Sequence, residues 1–212
     1  PLIIAKMCST LDNFCNGRLI CTVAPGWMEE EFEILNVEYE GRIPKTIEYV
    51  EILKTLWKED PSSYEGNYFN FKNVSFHPKP KQKNLQIWMG GNHNNAIKRS
   101  LDHADGWQPI WFSAQELTEK ISYLNDYSEK IGRHLDNFNI SLRNRIRITN
   151  KSKKNPGQPE TALIGSKDEV IDKILSYENL KIKEIVLDFI TPDKDEIIET
   201  MEIMGKELIP KL

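Results

Sequence analysis

The chain has 212 residues, 39% of them hydrophobic and 28% charged, with a formal net charge of −4. This is the profile of a globular chain, long enough for one large domain or two small ones. Its mildly acidic balance removes the electrostatic case for nucleic acid or an anionic membrane as main partner, and no apolar run approaches the roughly 20 residues of a membrane-spanning helix.

The chain opens at Pro1 inside a helical pattern, not at a methionine, as a piece of something longer would. No basic-then-apolar leader stands at this front, so the sequence reads as cytoplasmic. Ile4, Met7, Leu11 and Phe14 recur at helical spacing until Asn16, Gly17 and Arg18 stop the helix. Cys8, Cys15 and Cys21 have no metal-ligand spacing; Cys8 and Cys15, seven apart on that helix, read as two small buried apolar residues, not reactive thiols. Leu19 to Val23 is a short buried strand, Ala24 to Trp27 a loop, and the acidic run from Glu29 a short helix. Ile43, Ile47, Val50 and Leu53 mark the next helix, closing at Trp57. Residues 60–84, rich in Pro, Asn, Ser and aromatic residues, form a long insertion with a small hairpin or extended segment.

Leu85 to Met89 is the next strand, followed by a helix through Ile97, Leu101 and Ala104, then a strand from Gly106 to Ile110. Leu117, Ile121, Leu124 and Ile131 give another helix, and Ile140 to Thr149 a strand. Ser166 and Glu169 have the S-x-x-E spacing of a capping box that opens a helix through Tyr177. Glu184 to Phe189 is the last strand, and Ile198, Met201 and Leu208 belong to the closing helix. Strands alternating with helices predict a parallel sheet with helical crossovers, either doubly wound or a (β/α)8 barrel. Five strands are visible; a barrel would place three more strand–helix units before Pro1. His77, His93, His103 and His134 are scattered, and no metal site is predicted.

Between strand and helix stands Ile87-Trp88-Met89-Gly90-Gly91-Asn92-His93-Asn94-Asn95-Ala96. Two glycines there make either a plain tight turn or a seat where free N–H groups and the helix dipole hold an anion. Asn92, Asn94 and Asn95 could cap the helix or donate their amides. No G-x-G-x-x-G follows a strand, which disfavours the dinucleotide-binding fold. Arg143, Arg145 and Arg147 fall on one side of their strand, opposite Leu142, Asn144, Ile146 and Ile148. They either pair with carboxylates or reach toward an acidic ligand, and Lys151, Lys153 and Lys154 could extend the patch; nucleic-acid binding is disfavoured because aromatic interleaving is lacking.

Several stretches, in order, resemble the bacterial luciferase-like monooxygenases, specifically the branch that uses the deazaflavin coenzyme F₄₂₀. They are Pro1 to Leu19, Pro25 to Val37, the Arg42, Glu48 and Trp57 spacing, Phe76 to Gln82, Ile87 to Pro109, and Gly165 to Phe189. Ala24 and Pro25 depart from the family, where glycines are common. The resemblance implies a single N-terminally truncated (β/α)8 barrel domain over residues 1–212, with the cofactor at the C-terminal ends of the strands. It implies a flavin- or deazaflavin-dependent oxidoreductase or monooxygenase, transferring a hydride between F₄₂₀, or alternatively reduced FMN, and a small organic substrate. Gly90, Gly91, Asn92, Asn94 and Asn95 would hold the cofactor phosphate, with Gly26 and Trp107 at the same rim; no catalytic acid or base is singled out. A homodimer is expected, both from the family and from the open sheet edges of five strands. The other class of function is a non-catalytic, flavin-binding or degenerate relative that works by self-association.

Overall fold

A computed structural model describes residues 1–149 and 161–211, so Lys151, Lys153 and Lys154 lie outside the described residues. The chain divides into two compact units, Pro1–Gly90 with Arg99–Gly106, and Gly91–Lys98 with Trp107–Leu212. In chain order the elements are α1 (Leu2–Phe14), β1 (Cys21–Val23), α2 (Glu29–Ile34), α3 (Arg42–Lys58), β2 (Ser62–Glu65), β3 (Asn70–Val74), β4 (Ile87–Gly90) and α4 (Asn94–His103). Then come β5 (Gly106–Gln108), α5 (Ala114–Lys130), β6 (Asn139–Ile148), β7 (Leu163–Gly165), α6 (Lys167–Leu175), β8 (Glu184–Phe189) and α7 (Lys194–Ile203). No helix among the described residues is long and apolar enough to cross a membrane.

In the first unit β1 and β4 run parallel, Cys21 opposite Ile87 and Val23 opposite Met89. Their core is closed by α3, whose Val50, Ile52, Leu53 and Leu56 are buried with Ile87 and Met89. Residues 60–84 hold an antiparallel hairpin, with Tyr64 opposite Phe71. Asp105 fixes the start of β4: its carboxylate accepts from Ile87 N at 2.9 Å, and its own N–H donates to Ile87 O at 2.7 Å.

The first helix forms where its periodicity predicts, but it buries the opposite face. Ala5, Ser9 and Asp12 are covered, while Met7 is 61% and Phe14 85% exposed. Small residues on the inner face let the backbone come close to α3, and the Trp57 indole N–H donates to Ala5 O at 3.1 Å. Buried Asp12 accepts from Gln82 N at 2.9 Å and Gln82 Nε2 at 2.7 Å, tying the helix to the segment before β4. The cysteines are only half-buried, contrary to the expectation from spacing.

One buried carboxylate holds the hairpin. Glu48, on the inner side of α3, is 7% exposed and accepts from Asn67 N at 2.7 Å, Tyr68 N at 3.0 Å and Phe69 N at 3.2 Å. Three N–H groups converging on one carboxylate neutralise the cost of burying it. Gly66 leaves room for this: a Cβ there would lie 2.5 Å from Glu48 Oε2.

In the second unit β6 is paired in parallel on two sides. β8 runs beside it from Ser141 opposite Glu184 to Ile146 opposite Phe189, and β7 pairs its end from Ile146 opposite Leu163. Just beyond β5, Ile110 bridges Arg143 in parallel. β7 is a strand that the sequence reading misses, because three residues carry too little alternation to register. The predicted capping box is present: Glu169 N donates to Ser166 Oγ and Ser166 N to Glu169 Oε2 at 2.7 Å. A second one, Ser113 with Glu116, opens α5.

Glu48→Ala should lower stability by about 1–3 kcal/mol, since it removes the acceptor that three hairpin N–H groups share. Glu33→Ala, on the exposed side of α2, should change it by less than about 0.5 kcal/mol. Urea unfolding of the two variants checks this; equal midpoints would refute the role given to Glu48.

Candidate functional site

All four residues of β4 are buried, and Gly90 is the last of them, a strand residue and not part of the turn. The turn begins at Gly91, whose φ is 127°, a region that L side chains rarely adopt, and a Cβ there would stand 2.8 Å from Ala96 Cβ. Only glycine fits this close approach of strand end to helix start.

The turn is held from below. Asn92 uses both ends of its amide on one residue, donating from Nδ2 to Ile110 O at 2.8 Å and accepting at Oδ1 from Ile110 N at 3.0 Å. Trp107 is fully buried, and its indole N–H donates to Gly91 O at 2.8 Å. It therefore supports the turn and offers no free ring face.

His93 caps α4: its carbonyl accepts from Ala96 N at 2.7 Å, and its ring Nδ1 accepts from Asn95 N at 3.2 Å. Asn94 Oδ1 accepts from Lys120 Nζ of α5 at 2.8 Å. Among the described residues, the N–H groups of Asn92, His93 and Asn94 meet no acceptor of the chain. Three consecutive donors at a helix start, with an ammonium within reach, suit a doubly charged phosphate oxygen group.

Of the residues singled out from sequence, Gly91 and Asn94 border these donors, while the amide of Asn92 and the N–H of Asn95 are already spent inside the turn. Gly26 belongs to the other unit, with φ 79°, and a Cβ on it would meet the Phe32 ring at 2.8 Å. Beside it Trp27 is exposed. Two residues escape the sequence reading. His93 has the position of a cap but not one of the common capping side chains. Lys120 comes from a helix with no local signal that it would reach Asn94.

The arginine face of β6 forms as the alternation predicts, with Leu142, Asn144 and Ile146 buried on the other side. Arg143 donates to Asp188 at 2.8 Å, and Arg147 to Glu196 of α7 at 2.7 and 3.2 Å. The Arg147 guanidinium holds the Glu196 carboxyl below the usual carboxylate range. Arg145 lies over the Trp111 ring at 4.4 Å from its centroid. Trp111 itself has a φ of 59°, and its carbonyl is held by Thr161 Oγ1 at 2.6 Å. Carboxylates thus meet Arg143 and Arg147, in keeping with the pairing alternative.

Comparison with known proteins gives this arrangement its context. The FMNH2-dependent dimethylsulfone monooxygenase of Pseudomonas fluorescens is 29% identical over 141 residues, 62% of this chain and 38% of that protein. Pyrimidine monooxygenase RutA of Acinetobacter baylyi is 33% identical over 110 residues, 50% of this chain and 30% of that protein. The chain thus spans about a third of the length of these curated relatives. Among solved structures, an F₄₂₀-dependent secondary alcohol dehydrogenase superposes with a TM-score of 0.82 at 17% identity, over 99% of this chain and 74% of that one. Monooxygenase RslO1 from Streptomyces bottropensis gives 0.83 at 18% identity, over 100% and 74%. The fold is accordingly that of the luciferase-like (β/α)8 barrel and not a doubly wound sheet. The sequence profile of the luciferase-like monooxygenases matches residues 1–154, and the chain belongs to that family.

Proposed function

We propose that the protein is a flavin-dependent oxidoreductase acting on a small organic compound, with reduced FMN better supported than F₄₂₀ as cofactor. The support for FMN is the level of likeness: relatives named for FMNH2 stand near 30% identity, whereas the F₄₂₀ enzyme shares the fold at 17%. The observation that carries the reading is the set of free N–H groups at Asn92, His93 and Asn94, presented by a turn that tolerates no side chain at Gly91.

A bound flavin would supply the redox chemistry. The chain's part is to seat the phosphate and keep the turn still. Gly91 lets the strand end approach the helix, Asn92 and Trp107 fix the peptide planes, and Lys120 brings positive charge to the Asn94 side of the turn. Because the donors are already aimed, binding costs little reorganisation.

Titration of the purified chain with FMN and with riboflavin, which lacks the phosphate, tests this by flavin fluorescence. FMN should bind at least about tenfold more tightly than riboflavin, in keeping with charge-assisted hydrogen bonds worth about 1.5–3 kcal/mol. Lys120→Ala should weaken FMN about three- to tenfold and leave riboflavin unchanged. Gly91→Ala should do so more strongly. Equal affinities for the two flavins would overturn the seat, and F₄₂₀ binding in preference to FMN would overturn the choice of cofactor.

The apolar outer stripe of α1 supports a homodimer as the assembly. Ile3 is 76% and Phe14 85% exposed, with Met7 and Leu11 exposed between them, a larger apolar helix face than water usually meets. Light scattering should give twice the mass of one chain, and Met7→Glu with Phe14→Glu should return it to one. A monomeric parent chain would exclude this interface.

A further inference from the structure

We infer that Cys8 and Cys21 form an oxidation site, closing to a disulfide between α1 and β1 when the protein meets a peroxide. The two sulfurs lie 3.8 Å apart. Both residues are half-buried at the edge of the first unit's core, open enough for a small oxidant to reach.

The proximity is fixed by two rigid elements and does not depend on a loose loop. Cys21 is held in the β1 ladder opposite Ile87, with its N–H on Gln86 O at 3.0 Å. Cys8 sits mid-helix on α1, anchored on one side by Trp57 at Ala5 O and on the other by Asp12 at Gln82. A disulfide has its sulfurs about 2.05 Å apart, so the pair must close by under about 2 Å, within reach of side-chain rotation. The bond would span the turn at Asn16 to Arg18 that joins helix to strand. The third thiol, Cys15, is directed elsewhere, its sulfur 3.6 Å from Asp12 O of its own helix.

The chemistry balances as two steps. The Cys8 thiolate attacks one oxygen of hydrogen peroxide, giving a sulfenic acid and releasing hydroxide. The Cys21 sulfur then displaces the sulfenic oxygen, which leaves as water once protonated, and the S–S bond forms. Two thiols lose two electrons and two protons, and one peroxide becomes two waters. Cys8 suits the first role because its contact with the Cys21 sulfur brings its thiol down to about 7, while the same contact and burial push Cys21 up.

Intact mass after peroxide treatment and alkylation tests the site. The chain should lose about 2 Da relative to its reduced form, through loss of the two thiol hydrogens, with one alkylatable thiol left instead of three. Dithiothreitol should restore all three. Cys15→Ser should still lose the same mass, and its tryptic map should join the segment with Cys8 to the segment with Cys21. Cys8→Ser and Cys21→Ser should abolish the loss, and dimedone should label Cys8 in Cys21→Ser. Three alkylatable thiols after a peroxide dose that oxidises free cysteine in the same tube would overturn the inference. So would a mass loss that survives in Cys8→Ser or in Cys21→Ser.

Discussion

The candidate site depends on one steric constraint, the absence of a side chain between Gly91 and Ala96. With φ at 127° the chain leaves β4 and enters α4 in three residues, so the first helical N–H groups stay at the mouth of the turn. Any Cβ would force the strand end and helix start apart and turn those donors away from a common point. Asn92 and Trp107 then make the turn stiff: one clamps it to Ile110, the other holds Gly91 O. A seat of this kind gains affinity from being ordered beforehand, not from the number of its contacts.

Much of the architecture is legible in the sequence because its elements are strongly periodic. Helices from Arg42, Ala114 and Lys167, and the strand around Leu142 to Ile148, form close to where apolar spacing puts them. The Ser166 and Glu169 box is legible for the same reason, as a local motif whose two hydrogen bonds need no distant partner. What fails is the prediction of which face of α1 is buried. On α1 the larger apolar residues point outward and Ala5, Ser9 and Asp12 inward, because close backbone approach and the hydrogen bonds of Trp57 and Gln82 decide the packing. Hydrophobic periodicity locates a helix, yet it cannot see a polar contact made by a residue about fifty or seventy positions away.

The turn at Gly91 divides the same way. That two glycines, an asparagine-rich stretch and a helix follow a strand is visible in the string itself. That only the second glycine turns, that Asn92 is consumed as a clamp, and that Lys120 arrives from α5 are tertiary facts. The arginines of β6 follow suit: their shared face is written in the alternation, while Asp188, Glu196 and Trp111 come from other segments.

The residues of α3 that carry the family likeness turn out to be structural. Arg42 Nε donates to Gly26 O at 3.3 Å and its guanidinium lies 3.7 Å from the Tyr39 ring centroid, so it holds the loop after β1. Glu48 gathers the N–H groups of the hairpin turn, and Trp57 docks α1. One helix thus pins three otherwise separate segments through one polar or charged side chain each. A likeness built on such residues belongs to the scaffold, and specificity is set by side chains that the scaffold leaves free to vary.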